Sequence, residues 1–166
     1  KNENRAKNQI ESYFEQENFE EVSGLLHKYK EQYPSDRDLW FYECVLALTV
    51  GELEKAQKIA DKCVHKFPTS YESYYYQASV YQAKGMILEA LKSYHIAYAL
   101  NLYTHYANDS ILEDIKAQIK NLEDSFEKLS NEYIAYNDSV NISTIRNKIN
   151  NRTSFDLFEY ANKYLE

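Results

Sequence analysis

The side chains that could do chemistry are few and scattered. Four histidines lie far apart, and none has the H-x-x-x-H spacing of a zinc-binding helix: His27, His65, His95 and His105. The acidic pair Glu20–Glu21 falls in the first turn of a predicted helix, where the helix dipole favours negative charge. No nucleophile motif or phosphate-binding loop is present. We therefore expect no catalytic residue, no metal and no cofactor.

The two cysteines, Cys44 and Cys63, also lack metal-binding context. They are not in C-x-x-C spacing, and no His/Cys cluster lies near them in the sequence. A free cysteine often serves as a small buried hydrophobic residue. We expect that role for both, with a disulfide as the alternative.

The composition favours helices. The chain has 166 residues, of which 44% are hydrophobic, with only three Gly and two Pro. So few helix breakers argue against a β fold with many turns. Tyrosine occurs 17 times, and it suits half-buried helix faces and contact surfaces because its ring is apolar and its tip polar.

The charge excludes some partners. A net charge of −7 without a basic stripe is poorly suited to nucleic acid, whose phosphates must be neutralised by Lys and Arg. The apolar runs are too short to span a bilayer. Without a signal peptide we expect a cytoplasmic location. Because the chain begins at Lys1 and ends at Glu166 in a helical pattern, we expect a fragment of a larger, bacterial protein.

The chain repeats itself at an offset of 34 residues. Prolines, glycines and alanines coincide in the pairs Pro34/Pro68, Gly51/Gly85 and Ala56/Ala90. Three units result, at residues 3–36, 37–70 and 71–104. Within each unit apolar residues recur three and four apart on both sides of a break, which predicts two amphipathic helices joined by a tight turn.

This pattern resembles the tetratricopeptide repeat (TPR) over residues 3–104. The shared features are an aromatic near the start, Gly at the turn, Ala early in the second helix and Pro near the end. The departures are Glu17 in place of Gly, Val22 in place of Ala, a glycine inside the second helix (Gly24), and Leu102 in place of Pro. The resemblance implies an all-α solenoid of helical hairpins wound in a right-handed superhelix, which binds proteins or peptides without catalysis.

The repeat stops after residue 104, and we expect residues 105–166 to form a helical cap. A capping-box pattern at Ser110 precedes one long helix over about 110–137. Its apolar stripe has heptad spacing and comprises Leu112, Ile115, Ile119, Leu122, Phe126, Leu129, Tyr133 and Tyr136. The stripe either packs on the last repeat or forms the seam of a homodimer. A turn at 137–141 and two further helices, near 143–150 and after 153, are predicted to follow.

The resemblance also implies a concave groove lined by the first helix of each unit. The candidate partner-binding residues are Lys7, Glu11, Phe14, Phe41, Val45, Leu48, Tyr75, Ser79 and Gln82. In the second unit Phe41, Val45 and Leu48 form an apolar stripe beside the expected core stripe. This second stripe predicts an exposed apolar surface that can bind a partner. The protein's own missing or C-terminal segments could fill it instead.

Some TPR domains hold a partner's terminal carboxylate with Lys and Asn side chains on this groove. Only Lys7 is of the right type here, and Glu11, Val45 and Ser79 stand where Asn would help. We therefore expect a scaffold module that binds a protein or peptide in another way. The alternatives are a peptide-sensing, dimerising domain of a regulator and a TPR appendage of a glycosyltransferase-like enzyme.

Overall fold

A computed structural model describes residues 2–103 and 107–139, with side chains up to residue 132. Seven helices lie in this part of the chain: α1 (Asn2–Glu15), α2 (Phe19–Gln32), α3 (Arg37–Thr49), α4 (Leu53–Lys66), α5 (Tyr71–Ala83), α6 (Ile87–Tyr103) and α7 (Asp109–Ser139). They fall into two compact units, Lys1–Val80 and Tyr81–Glu166. The predicted all-α architecture is confirmed, since every regular element described is a helix.

The helices keep the period of the sequence. The second helices α2, α4 and α6 begin at Phe19, Leu53 and Ile87, at equal steps along the chain. In the first unit α1 packs on α2, α2 on α3, and α3 on α4; in the second unit α6 packs on α7. Each second helix therefore follows its first helix after a short turn, as in a helical hairpin.

The three hairpin turns have the same backbone conformation. Gly51 and Gly85 have φ of +80° and +76°, in the left-handed region where glycine carries no steric penalty. Glu17 occupies the corresponding place in the first hairpin and also has a positive φ, of 55°. The amides of Asn18 and Glu52 bond the carbonyls of Tyr13 and Ala47, each at 2.9 Å. The departure from Gly at residue 17 thus changes the side chain and leaves the turn unchanged.

Small residues mark the place where the two helices of a hairpin meet. Ala56 on α4 is fully buried, and the Cys44 thiol on α3 lies 3.7 Å from its carbonyl oxygen. So short a distance between one helix's side chain and the other's backbone leaves no room for a larger residue at 56. In the second unit Ala90 is fully buried as well, whereas Val22 fills the corresponding buried position of the first hairpin.

The long helix α7 covers the second unit. The first part of its apolar stripe is buried, with Ile115 at 0% and Leu122 at 5% exposure, and α7 packs against α6. This burial is what a cap requires, and a homodimer through α7 remains a prediction. The N-cap of α7 is Asn108 and not the predicted Ser110. The Asn108 side-chain oxygen accepts hydrogen bonds from the amides of Ser110 and Ile111.

The end of α7 also differs from the sequence-based prediction. The helix extends to Ser139, through most of the turn predicted at 137–141. The helices predicted at 143–150 and after 153 lie outside the described residues.

Replacing either of two glycines by alanine should change the free energy of unfolding, in opposite directions for the two positions. Gly24 lies inside α2 and Gly51 in a left-handed turn, and at either an added Cβ would meet no atom within 4 Å. The effect of each substitution on stability therefore depends only on the backbone conformation at that position. Gly24→Ala should raise the free energy of unfolding by about 1 kcal/mol, and Gly51→Ala should lower it by about 1–2 kcal/mol. Urea unfolding followed by circular dichroism measures both. Changes of the same sign would contradict this assignment.

The close approach at Ala56 predicts overpacking. Ala56→Leu, and Ala90→Leu in the second unit, should each destabilise the protein by about 1–3 kcal/mol because no space exists for the added carbons. Thermal unfolding provides the measurement, with Ala83→Leu as the exposed control on α5. Unchanged midpoints at both buried alanines would show that the helices do not meet there.

Candidate functional site

Lys7 on α1 is held by the start of α3. Its ammonium lies 3.0 Å from Asp36 and 2.8 Å from Asp38. Asp36 is itself the N-cap of α3, since its carboxylate accepts the Asp38 amide. Burial acts to lower the pKa of Lys7, but the hydrogen bonds to the two aspartates outweigh it and raise the pKa above its ordinary value. The single cation among the predicted groove residues is therefore already paired.

Tyr42 makes the next link between α1 and α3. Its hydroxyl donates to the Glu11 carboxylate at 2.5 Å, and its ring lies 6.2 Å from that of Phe14. Burial and the adjacent Glu11 carboxylate raise the pKa of Tyr42, so it remains a neutral donor. The two helices are thus joined by charge at one end and by rings further along.

Aromatic contacts join α3 to α5. Phe41 lies 5.7 Å from Tyr76, and Tyr76 stacks edge-on against Tyr75 at 5.7 Å. Burial raises the pKa of Tyr76 to about 12. Phe41 is only 5% exposed and also packs on Phe67 within the core. The prediction of Phe41 as a surface anchor was therefore wrong: α3 has neighbours on several sides, so an apolar stripe did not reveal which strip faces outward.

Contacts join the first helices of the first unit, and each of these helices also carries side chains that reach the surface. We define the α1–α3–α5 face by the residues that stand on it at steps of four, three and four: Asn4, Asn8, Glu11 and Glu15 on α1; Asp38, Tyr42, Val45 and Thr49 on α3; Glu72, Tyr76 and Ser79 on α5. All are exposed or half-buried. Side chains at this spacing lie on one side of a helix, so each helix contributes one strip.

The predicted site residues fall in four groups. Glu11, Val45 and Ser79 lie on the α1–α3–α5 face, and Lys7, Phe14 and Tyr75 lie beside it. Phe41 is buried in the core, and Leu48 is half-buried and packs against it, as do Tyr42 and Tyr76 of the face. Gln82 falls in the second unit, where its amide accepts the Tyr94 hydroxyl at 2.8 Å.

Sequence reasoning missed the other eight residues of the face. Four of them lie in matching columns of the repeat: Asp38, Tyr42, Glu72 and Tyr76. The repeat contained a signal for them, because an offset of 34 pairs Asp38 with the acidic Glu72 and Tyr42 with the identical Tyr76. These two columns keep a side chain with a polar end in both units, whereas the buried column Ala56/Ala90 keeps a small apolar one.

A cavity of about 590 Å³ lies elsewhere in the first unit, between α2, the end of α3 and α4. Its floor is apolar, and most of its polar wall residues lie in pairs: Lys30 with Glu43, Lys55 with Glu52 at 3.4 Å, and His27 with Glu31 at 3.5 Å. In the described part of the chain no cluster of three His, Cys, Asp or Glu side chains could hold a metal ion.

The cysteines are buried thiols, as predicted. Cys44 and Cys63 are both free and at most 1% exposed. Burial raises the pKa of Cys44 to about 12 and that of Cys63 to about 11. Because the thiolate is the reactive form, neither can act as a nucleophile near neutral pH.

The solved structures most relevant to this geometry are TPR domains. The TPR2B domain of yeast Sti1, in a complex with pHsp70, superposes with a TM-score of 0.65 at 13% identity, covering 74% of this chain and 96% of that one. The first TPR domain of human RPAP3 gives 0.56 at 18% identity, covering 72% and 94%. The first TPR of Spaghetti (RPAP3), bound to the HSP90 peptide SRMEEVD, gives 0.54 at 17% identity, covering 69% and 90%.

A longer assembly also matches. The structure of Naa15/Naa10 bound to HypK-THB gives a TM-score of 0.58 at 15% identity and covers 98% of this chain but 25% of that one. No protein-family model and no curated protein matches the sequence. Within residues 2–103 and 107–139, no helix combines the length and the apolar character needed to cross a bilayer.

Native thiols should react only after unfolding. We expect Cys44 and Cys63 to be labelled by a thiol reagent at pH 8 at a rate that rises with urea in step with unfolding, because burial keeps both protonated and inaccessible. Mass spectrometry of samples quenched over time gives the rate at each site. Fast labelling in buffer would show that α3 and α4 separate in the native state.

These structural likenesses lie below 25% identity, so they concern the backbone. The hairpin order, the positive-φ turns and the coverage of nearly whole TPR domains agree with one another. The resemblance inferred from the 34-residue repeat is thereby confirmed, and the chain has a TPR-like repeat fold.

Proposed function

We propose that this chain is a protein-interaction module without catalytic activity, and that a peptide segment of its partner lies across the α1–α3–α5 face. The observation that carries the proposal is the face itself, in which three helices present aligned strips of half-buried tyrosine, valine and polar side chains. Aromatic side chains with a polar tip are enriched in protein contact surfaces because they bury much area at little conformational cost.

The geometry of the face suits an extended or helical peptide. Its strips are held in place by contacts between helices: the Lys7–Asp38 ion pair, the Tyr42–Glu11 hydrogen bond and the Phe41–Tyr76 ring contact. A surface fixed in this way needs little reordering on binding, which lowers the entropic cost of association. The inert cysteines offer no comparable chemistry for a reaction.

The structural neighbours support this function at the level of fold. Two of them are described in complexes with pHsp70 and with the HSP90 peptide SRMEEVD. In this chain we place the ligand against Val45 on the face and Tyr75 beside it, with Phe41 beneath them. As part of the same proposal the module belongs to a larger cytoplasmic, bacterial protein. The second candidate is a dimerising module, since the stripe of α7 continues past the buried Leu122 to the half-buried Phe126 and Leu129.

The proposal predicts peptide selection that depends on this face. A random twelve-residue peptide library displayed on phage is panned against the whole chain and against the double variant Val45→Ser, Tyr75→Ser. We expect the wild type to enrich a set of peptides. The double variant should capture the same peptides at least about tenfold less, because central apolar contacts dominate interface energy.

The matched control changes the same residue types on the second helices, as Val64→Ser with Tyr29→Ser. It should retain the enriched set, and circular dichroism checks that both variants are folded. Equal loss in the two variants, or no enrichment by the wild type, would remove the face as a peptide site.

A further inference from the structure

The charges of the α1–α3–α5 face are all of one sign. Among its eleven residues are four carboxylates and no basic side chain: Glu11, Glu15, Asp38 and Glu72. The nearest lysine, Lys7, already forms ion pairs with Asp36 and Asp38. Arg37 donates to the Ser70 hydroxyl at 2.9 Å. The face itself thus carries four acidic side chains and no basic one, although the exposed Arg5 and Arg37 are sequence neighbours of its residues Asn4 and Asp38.

Asp38 and Glu72 present carboxylates that the fold only partly satisfies. The Asp38 side chain is 46% exposed although it pairs with Lys7. Glu72 is half-buried, and its Oε2 atom is fully shielded from solvent without a hydrogen-bond partner. Burial raises the pKa of Glu72, and nearby Asp38 adds to that, while Arg37 opposes it. The shielded oxygen itself is out of a ligand's reach, so a ligand can contact Glu72 only through the other oxygen of its half-buried carboxylate.

Two tyrosines stand in the same strips as these acids. Tyr42 follows Asp38 by one helical turn on α3, and Tyr76 follows Glu72 likewise on α5. A carboxylate beside a ring face is a favourable environment for an ammonium or guanidinium group, which gains both charge pairing and a cation–π contact.

We infer that the partner segment bound on the α1–α3–α5 face is a basic peptide, carrying Lys or Arg side chains that meet the carboxylates of Asp38, Glu72 and Glu11. The inference rests on the proposed function and adds the charge of its ligand. It sets this chain apart from the neighbour bound to SRMEEVD, a peptide with three acidic side chains. An acidic peptide on this face would be repelled, because like charges brought together at an interface are unfavourable.

The test measures the charge of selected peptides. The random twelve-residue phage library is panned against the wild type, against Glu11→Lys with Glu15→Lys on the face, and against Glu20→Lys with Glu31→Lys on α2. All four glutamates are exposed, and the two variants have the same net charge. Sequencing gives the mean net charge of each enriched pool relative to the input library.

We expect the wild-type and α2-variant pools to be more basic than the input by about one charge or more, and the face-variant pool to lose that excess. A neutral or acidic wild-type pool overturns the inference while leaving the peptide site intact. An equal loss in both variants also overturns it, because attraction would then come from the net charge of −7. If the lysine pair on the face prevents folding, Glu11→Gln with Glu15→Gln replaces it. A wild-type chain that enriches no peptides refutes the proposed function itself.

Discussion

The fold depends on the close contact between the two helices of each hairpin. Ala56 is fully buried and the Cys44 sulfur lies 3.7 Å from its carbonyl oxygen, so α3 and α4 are in contact at this point. The short turn between them contains one residue with a positive φ, Gly51. With the hairpin fixed, the first helices can align side by side and carry the α1–α3–α5 face. The left-handed turn and the small residue are thus two parts of one constraint.

The α1–α3–α5 face and the core occupy different sides of the same helices. In α3 the core side holds Cys44, Ala47 and Phe41, and the outward strip holds Asp38, Tyr42 and Val45. Elsewhere on α3, Lys30 and Lys66 place their ammonium groups 3.8 and 4.7 Å from the centroid of the Trp40 ring, so cations lie over the indole. Half-buried tyrosines thus lie on the α1–α3–α5 face, and the tryptophan lies away from it.

The ion pairs of Lys7 affect the charge that the α1–α3–α5 face presents. Lys7 stabilises the N-cap of α3 through Asp36, and in doing so it is withdrawn from ligand binding. The sequence suggested Lys7 as a binding residue for a partner's carboxylate, but Lys7 stabilises the fold instead. Acidic side chains outnumber basic ones around it. Under the proposed function, the pairing of Lys7 within the fold favours a basic ligand on the α1–α3–α5 face.

The sequence alone determined the repeat, the helical hairpins and the buried columns, because each is local: glycine permits the turn, alanine permits contact, and apolar spacing of three and four defines a helix face. It also identified Glu11, Val45 and Ser79 as surface residues of the first helices. Tertiary structure decided that Phe41 is buried, that Lys7 is paired with residues near α3, and that Asp38, Tyr42, Glu72 and Tyr76 form the outward strip. A helix enclosed by neighbours is apolar on several sides, and only their positions determine which strip remains open and which charges meet.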